Sequence, residues 1–371
     1  MTELLPILVF SICIAYVIEI RDRRLSALKN RDHERLLTFL LIIVLAVFCG
    51  LRTWYNDTVT YRMIYEQATD IFQFRNSPDV VLASGYGFGL LNSLMKTFGF
   101  STQDFFMTYA FLTVIPYVLF VRKYCPKFLF GVFLMFATGF YIFTFAAIKQ
   151  CMATGLCLLA VMAATDKKWI RYGLLMFLGF LFHPYSIVYL FVPLMMYKPW
   201  TKWTYIYIVV FVAIGFLLEY FLDTILDVTD LLGANYNEES FIGEGVNMFR
   251  VIVSFVPIVI SFIYKPMLFN DSTKSENLMF NLAMLNALIM FVGIFGTANY
   301  FARLANYFLP AQVVVLPWML NKIYYRHRPF FKSACVAGYT GYFLYENVLL
   351  HNFDDGYNRI GLFEYISSHF N

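Results

Sequence analysis

The stretch GLRTWYNDTVTY, from Gly50 to Tyr61, carries residue types that can do chemistry and follows directly on a long apolar run. It places Arg52 and Asp57 together in a chain that has few charges. A carboxylate beside an apolar cavity can accept a proton from a sugar hydroxyl, which is general-base catalysis. Asp57 is therefore a candidate catalytic base. The same residue could also cap the helix that NDTVTYRMIYEQ predicts, and the two roles are compatible.

Three basic side chains at the ends of apolar segments could bind an anion. Arg52 ends the second apolar segment, Lys149 lies in FAAIKQCMATG, and Arg303 lies in NYFARLANYF. Phosphate would satisfy an ammonium or a guanidinium in such a setting, and the arginine fork matches phosphate oxygens. The alternative for Arg52 is that its side chain snorkels to the membrane interface. The alternative for the other two is a structural role.

A histidine and several polar side chains accompany these cations. His183 closes LMFLGFLFHPY, where the following proline suits the first turn of another helix. The imidazole could act as a base, donate a hydrogen bond to a ligand, or serve as a polar turn residue. The residues predicted to bind substrate beside the three cations are Tyr61, Gln150 and Tyr307.

The composition places this chemistry in a membrane. Of the 371 residues, 60% are hydrophobic, 20% are aromatic and only 14% are charged, and the mean hydropathy is +0.64. This leaves too little polar surface to coat a soluble globule. Apolar runs continue from Leu4 almost to the C-terminus without a linker, so we expect one membrane domain over residues 1–371.

The motifs that are missing narrow the function further. The sequence contains no Walker, GxGxxG, HExxH or EF-hand pattern, so it predicts no ATP, dinucleotide or metal cofactor. The six cysteines are scattered, without the spacing of a metal site or a disulfide framework. Nothing in the sequence indicates a nucleic-acid partner.

The apolar runs predict an all-α polytopic protein with about twelve transmembrane helices. Two of the segments, 151–165 and 170–183, are shorter than a full span, so they could be tilted, broken or re-entrant. The predicted helices lie at about 4–20, 36–50, 104–121, 128–147, 151–165, 170–183, 185–198, 204–222, 250–264, 278–297, 303–320 and 330–350.

The run GYGFGLLNSLMKTFGF is predicted not to span the membrane. Counting it as a span would place the basic loops outside, against the positive-inside rule. Residues 51–103 are therefore predicted to form one extracytoplasmic, partly amphipathic region, with both termini of the chain outside. The candidate residues then lie at the extracytoplasmic ends of helices. Residues 223–249, which are acidic and lack bases, are predicted to form an outer loop that is either solvated or a movable lid.

Four stretches of the sequence together resemble a known family. GLRTWYNDTVTY, GYGFGLLNSLMKTFG, FAAIKQCMATGLCLLAVMAATDKKWIRYGLLMFLGFLFHPYSIVYL and RLANYF resemble the EpsG-type family of bacterial polysaccharide polymerases. These are relatives in function of the Wzy O-antigen and capsule polymerases. The resemblance covers most of the chain. It departs at Lys149, where the family often carries arginine, so the charge is kept but the bidentate fork is lost.

The resemblance implies a glycosyltransferase at the outer, periplasmic face of the bacterial plasma (inner) membrane. It would move a growing glycan from one polyprenyl (undecaprenyl) diphosphate carrier onto a newly flipped repeat unit, building O-antigen, capsule or exopolysaccharide. Asp57 would be the base, His183 would compete for that role or orient the acceptor, and Arg52, Lys149 and Arg303 would hold the diphosphate. The implied partners are the lipid-linked oligosaccharide, membrane lipid, a flippase and a chain-length regulator. Helix packing like that of GT-C glycosyltransferases is an analogy of reaction only.

Three other functions stay open. A flippase or exporter of the same lipid-linked glycans would bind them without forming a bond, and would be expected to show inverted repeats and charges at membrane depth. A membrane acyltransferase would need a His/Asp pair facing the cytoplasm, whereas His183 is predicted outside. A scaffold for a polysaccharide-producing complex is the third.

Overall fold

The computed structural model of the chain describes residues 2–25, 32–74, 85–221, 224, 227–228, 245–296 and 298–369. About 80% of the chain is helical, in agreement with the predicted all-α class. Helices are the expected outcome, because a helix satisfies the backbone N–H and C=O groups of an apolar segment internally.

The first half of the chain alternates long apolar helices with short connecting elements. In chain order the elements are α1 (Leu4–Leu25), α2 (Asp32–Gly50), β1 (Arg52–Trp54), α3 (Thr58–Glu66), α4 (Ile71–Phe74), α5 (Tyr86–Thr97), α6 (Thr102–Tyr124), α7 (Phe128–Ala137), a 3₁₀ helix (Ile142–Phe145), α8 (Ile148–Thr165) and α9 (Trp169–Phe182).

The second half contains more interrupted helices. Its elements are a long 3₁₀ helix (Pro184–Met196), α10 (Lys202–Phe216), a 3₁₀ helix (Leu218–Phe221), α11 (Met248–Ile263), α12 (Lys265–Phe269), α13 (Lys274–Val292), α14 (Ala298–Asn306), α15 (Leu309–Lys322), α16 (Arg328–Leu344), a π-helix (Tyr345–Leu350), α17 (Phe353–Gly356), β2 (Asn358–Arg359) and α18 (Leu362–Ser367).

Contacts divide the chain into two compact units. Unit 1 comprises Met1–Met162, Ile170–His183 and Ala337–Asn371. Unit 2 comprises Ala163–Trp169 and Pro184–Val336. The single membrane domain expected over the whole chain stays a prediction.

In unit 1, α2 packs along α6, and α1 packs on both α2 and α7. Helix α6 begins with a capping box between Ser101 and Asp104. Near its other end, the Arg122 guanidinium donates to both carboxylate oxygens of Asp22 at 2.6 and 2.7 Å. The capping box and the ion pair therefore fix both ends of α6.

In unit 2, α13 is buried on all sides and contacts α10, α11, α14, α15 and the long 3₁₀ helix. Polar side chains bond across this apolar interior. The Gln312 amide on α15 donates to the Ser254 carbonyl oxygen on α11 (2.8 Å) and to the Asn286 amide oxygen on α13 (3.0 Å). Asn286 in turn donates to the Ala305 carbonyl oxygen on α14 (2.7 Å). Four helices are therefore linked by side-chain hydrogen bonds as well as by packing.

The prediction of twelve spans is not confirmed, because many of the predicted spans are short or interrupted helices. Among the described residues, four helices are long and apolar enough to cross a membrane, namely Leu4–Asp22, Thr102–Tyr124, Ile148–Thr165 and Lys274–Val292. The shorter apolar helices are Phe128–Ala137, Trp169–Phe182, Pro184–Met196, Lys202–Phe216 and Met248–Ile263.

Two predicted spans are broken at glycine or proline. In the segment 128–147, α7 already ends at Ala137, and Gly139 adopts a φ of +77° that favours glycine. The segment 303–320 divides into α14 and α15, and α15 begins with Pro310 in its first turn. Hydropathy does not reveal the first of these breaks, since apolar residues continue on both sides of it.

The predicted region 51–103 contains, in its described part, no helix long enough to span a membrane. The run GYGFGLLNSLMKTFGF forms α5, which has 12 residues. At 1.5 Å per residue this is roughly 18 Å, well short of a bilayer core of about 30 Å. Most of the predicted lid 223–249 lies outside the described residues. The predicted sidedness of both segments stays a prediction.

We expect Gln312→Leu to lower the free energy of unfolding by about 1–2 kcal/mol, because it removes interhelical hydrogen bonds and leaves the buried Asn286 amide oxygen without this donor. Unfolding of the purified protein in mixed detergent micelles measures the change. The matched control is Gln73→Leu, since the Gln73 side chain is exposed. Equal losses in the two variants would contradict a role for the Gln312 hydrogen bonds.

Candidate functional site

The candidate site begins at Arg52, whose side chain is buried to 1% exposure at the end of α2. Its Nη1 donates to the Cys49 carbonyl oxygen at 2.7 Å and lies 3.2 Å from the Cys49 sulfur. The guanidinium carbon lies 4.8 Å from the centroid of the Phe106 ring and 6.0 Å from that of Phe145. Within the described residues, no carboxylate pairs with this cation. Cation–π contacts and one carbonyl therefore compensate a buried charge.

This burial argues against direct contact between the Arg52 guanidinium and a phosphate. Its Nε atom is buried without a hydrogen-bond partner, and the guanidinium faces protein atoms. A ligand could reach it only if the packing of Phe106 and Phe145 changed. The interfacial snorkelling considered for Arg52 is wrong, since a snorkelling side chain extends into water.

A segment near the C-terminus, residues 357–360, returns to the strand that carries Arg52 and holds it in place. Strand β1 pairs antiparallel with β2, with Arg52 opposite Arg359. The Ile360 N–H donates to the Leu51 carbonyl oxygen (3.1 Å), and the Tyr357 hydroxyl donates to the Phe48 carbonyl oxygen (2.8 Å). Analysis of the sequence missed this return. The signal was available, because the predicted topology places this segment and residues 51–103 on the same side of the membrane.

Asp57 lies directly after β1, at the N-cap position of α3, as the sequence predicts. The turn that leads to it includes Asn56 with a φ of +45°, a conformation that asparagine tolerates well. The Asp57 carboxylate makes no hydrogen bond to the N–H groups of α3, however, so the side-chain capping expected from the sequence is wrong. The half-buried carboxylate therefore lies at the start of the helix but does not cap it.

The neighbouring phenol does not compete for the role of base. Burial raises the pKa of Tyr55 to about 12, because desolvation disfavours the phenolate. Tyr55 packs against Phe353 at 5.0 Å and Phe145 at 5.8 Å between ring centroids. It stays neutral at ordinary pH, so this phenol does not supply a base to the turn.

One buried ring brings together two of the predicted substrate-binding residues. Phe88, in the first turn of α5, is fully buried. The Lys149 Nζ lies 5.4 Å from its centroid, and the Tyr61 ring lies 5.9 Å from it in an edge-on arrangement. Lys149 thus lies in the first turn of α8, close to the helix that carries Tyr61. The sequence predicted both residues for the site but did not indicate that α5 joins them.

His183 lies at the end of α9, and its N–H donates to the Gly179 carbonyl oxygen at 3.0 Å. This helix end packs closely on the start of α5. A Cβ at Gly85 would lie 2.7 Å from the Phe182 carbonyl oxygen, and Gly85 has a φ of +85°. Both constraints require glycine. His183 therefore directly follows Phe182, which contacts the start of α5. The first turn of the same helix carries Phe88.

The remaining predicted residues are placed differently. Gln150 is buried beside Lys149 in the first turn of α8. In unit 2, Arg303 is exposed on α14, whereas Tyr307 is buried and packs against Tyr189 with 6.2 Å between ring centroids. The placement of Tyr307 favours packing over contact with a ligand. Among the described residues, no group of His, Cys, Asp and Glu side chains could hold a metal ion.

We expect Arg52→Lys to lower the free energy of unfolding by about 1–3 kcal/mol, because the shorter ammonium loses the Cys49 carbonyl and remains a buried charge. The matched control is Arg303→Lys, which changes an exposed side chain and is expected to stay within about 0.5 kcal/mol of the parent protein. Detergent unfolding followed by circular dichroism measures both. Unchanged stability of Arg52→Lys would show that these contacts do not anchor the strand.

Comparison with known proteins adds one finding to this geometry. No curated protein and no solved structure matches the chain. The model of the EpsG family matches residues 35–367, which include every predicted site residue and nearly the whole of both units. The matched range begins within α2 and ends at the last residue of α18. The chain, a helical membrane protein, therefore belongs to the EpsG family.

Proposed function

We propose that the chain is a glycosyltransferase that polymerises polyprenyl-diphosphate-linked oligosaccharides into surface polysaccharide at the outer face of the plasma membrane. The observation that carries the proposal is membership of the EpsG family over residues 35–367. The arrangement of unit 1 supports it, since a carboxylate, a histidine and an ammonium all lie on elements that meet at or next to α3 and α5.

The reaction would form one glycosidic bond and break one bond to phosphate. The acceptor sugar hydroxyl attacks the anomeric carbon of the growing glycan, the bond from that carbon to the diphosphate oxygen breaks, and polyprenyl diphosphate leaves. The hydroxyl proton passes to a base, which we assign to Asp57. His183 orients the acceptor, or takes the proton if Asp57 does not.

The departing diphosphate gains negative charge, so the transition state is stabilised by a nearby cation. We assign this role to Lys149, with Tyr61 and Gln150 as neighbouring contacts. An aromatic ring beside Lys149 supports the assignment. The Lys149 Nζ lies 5.4 Å from the Phe88 centroid, so a cation–π contact helps to hold the ammonium beside α5.

The two arginines receive different roles. Arg52 acts as a positioning residue, because its buried guanidinium fixes the start of the strand that leads to Asp57. Arg303 is exposed and remains a predicted phosphate ligand in unit 2. Tyr307 is predicted from the sequence to bind substrate, although its burial favours a packing role.

The decisive assay uses purified protein and a synthetic oligosaccharide linked to a polyprenyl diphosphate, scored for a ladder of longer glycans. A ladder without any nucleotide sugar supports the polymerase. Binding of the substrate without a ladder would favour a flippase or exporter of the same glycans.

In this assay we expect Asp57→Asn to lower kcat by a factor of about 10² to 10⁴, the usual contribution of a general base. The matched control is Asp271→Asn, an exposed carboxylate, which is expected to retain full turnover. His183→Gln in the same series separates the two candidate bases. Near-normal polymerisation by Asp57→Asn would remove Asp57 from the role of base.

We expect Lys149→Gln to lower kcat/KM by about 10²-fold, since it removes a charge that stabilises the leaving diphosphate. Lys149→Arg keeps that charge and should retain most of the activity. Lys168→Gln, which changes an exposed lysine, is the control for loss of an ammonium. If Lys149→Gln and Lys168→Gln behave alike, Lys149 does not bind the diphosphate.

A further inference from the structure

Three connections in unit 2 are rich in basic and aromatic residues and contain no acid. They are residues 197–206 (YKPWTKWTYI), 262–268 (FIYKPML) and 322–332 (KIYYRHRPFFK). A solvated surface normally mixes charges of both signs. Connections that carry only basic charged side chains and many rings indicate a partner that is negative and partly apolar.

The structure brings these three connections into contact. The Trp200 ring packs edge-on against Phe262 at 5.2 Å, and its Nε1 donates to the Ser261 hydroxyl at 3.2 Å. The Tyr264 hydroxyl lies 2.9 Å from His327 Nδ1. The three connections therefore form a single basic-aromatic surface, defined by residues 197–206, 262–268 and 322–332.

Lys265 lies at the centre of this surface, among three aromatic rings. Its Nζ is 5.8 Å from the centroid of Trp200, 5.9 Å from that of Tyr205 and 5.6 Å from that of Phe262. It also donates to the Tyr205 hydroxyl at 3.3 Å. Within the described residues, no carboxylate lies at ion-pair distance from Lys265. Rings and a hydroxyl orient the ammonium, but within the described residues no negative charge pairs with it.

Lys322, another lysine of the basic-aromatic surface, differs from Lys265 in having an acidic partner. The Lys322 Nζ lies 3.2 Å from a Glu276 carboxylate oxygen, which also accepts from the Trp318 indole. Its charge is therefore compensated within the protein. Lys265 has no such partner among the described residues, so an anion from outside the protein would complete its surroundings.

Several rings of the basic-aromatic surface are exposed. Tyr205, Phe262, Tyr324, Tyr325 and Phe330 all expose more than two fifths of their surface, and Tyr325 exposes 84%. Tyrosine and tryptophan concentrate where a membrane protein crosses the headgroup layer, because one part of the ring is apolar and the other polar. Lysine and arginine in the same layer attract anionic lipids.

We propose that the basic-aromatic surface binds the phosphate of an anionic phospholipid headgroup, with Lys265 as the central contact. The rings of Trp200 and Phe262 accommodate the glycerol and upper acyl region, and the ammonium contacts the phosphate. The surface then lies in the anionic cytoplasmic leaflet. This proposal is independent of the polymerase function.

The test measures thermal unfolding of the full-length protein in an uncharged detergent during titration with short-chain phosphatidylglycerol. Parallel titrations use phosphatidylcholine, which carries the same phosphate without a net charge, and inorganic phosphate. We expect phosphatidylglycerol alone to raise the unfolding midpoint. Lys265→Gln should raise its half-saturating concentration about fivefold, the usual effect of one lysine near an anionic surface.

Two further variants make the result independent of folding effects, since each is compared with its own lipid-free midpoint. Lys265→Arg keeps the charge and should bind phosphatidylglycerol like the parent protein. Lys274→Gln changes an exposed lysine outside the three connections and should also leave binding unchanged. Equal stabilisation by phosphatidylcholine or inorganic phosphate would overturn the proposal. So would equal weakening by Lys265→Gln and Lys274→Gln.

Discussion

The buried guanidinium of Arg52 is the constraint on which the rest of unit 1 depends. A charge at 1% exposure in an apolar protein must be compensated by neighbouring groups, and here the Cys49 carbonyl and the Phe106 and Phe145 rings do so. Each contact comes from a different element, namely α2, α6 and the 3₁₀ helix after α7. The requirement to surround one cation therefore fixes the distances among three elements.

This arrangement determines the positions of the site residues. Strand β1 starts at Arg52, and the turn after it presents Asp57 before α3 begins. Helix α3 places Tyr61 against Phe88, and the same ring receives Lys149 from α8. In unit 1 the arginine thus supports the site, and the lysine makes the contact that we assign to the substrate. This division is consistent with an arginine selected for a buried, stacked position.

The sequence could predict the class of the fold and the candidate residues, because both depend on composition and on local motifs. Apolar runs predicted the helical membrane protein, and Asp57 was correctly placed at the start of α3. It could not predict where helices break within apolar segments, as at Ala137, since apolar residues continue on both sides. Nor could it show that the Asp57 side chain makes no hydrogen bond to the N–H groups of α3, because the residue type alone does not determine that geometry.

The pairing of β1 with β2 was likewise beyond local patterns, since it joins residues about three hundred positions apart. That distance has a consequence for biogenesis. Contacts between distant parts of a chain form only after the intervening chain is in place, and they are the slowest to form. The Arg52 strand is held by Tyr357 and Ile360, which leave the ribosome after all the long apolar helices have been made. The pairing of β1 with β2 is therefore a late step in the assembly of the protein. A chain interrupted before Tyr357 would insert most of its helices yet lack the segment that completes the strand before Asp57.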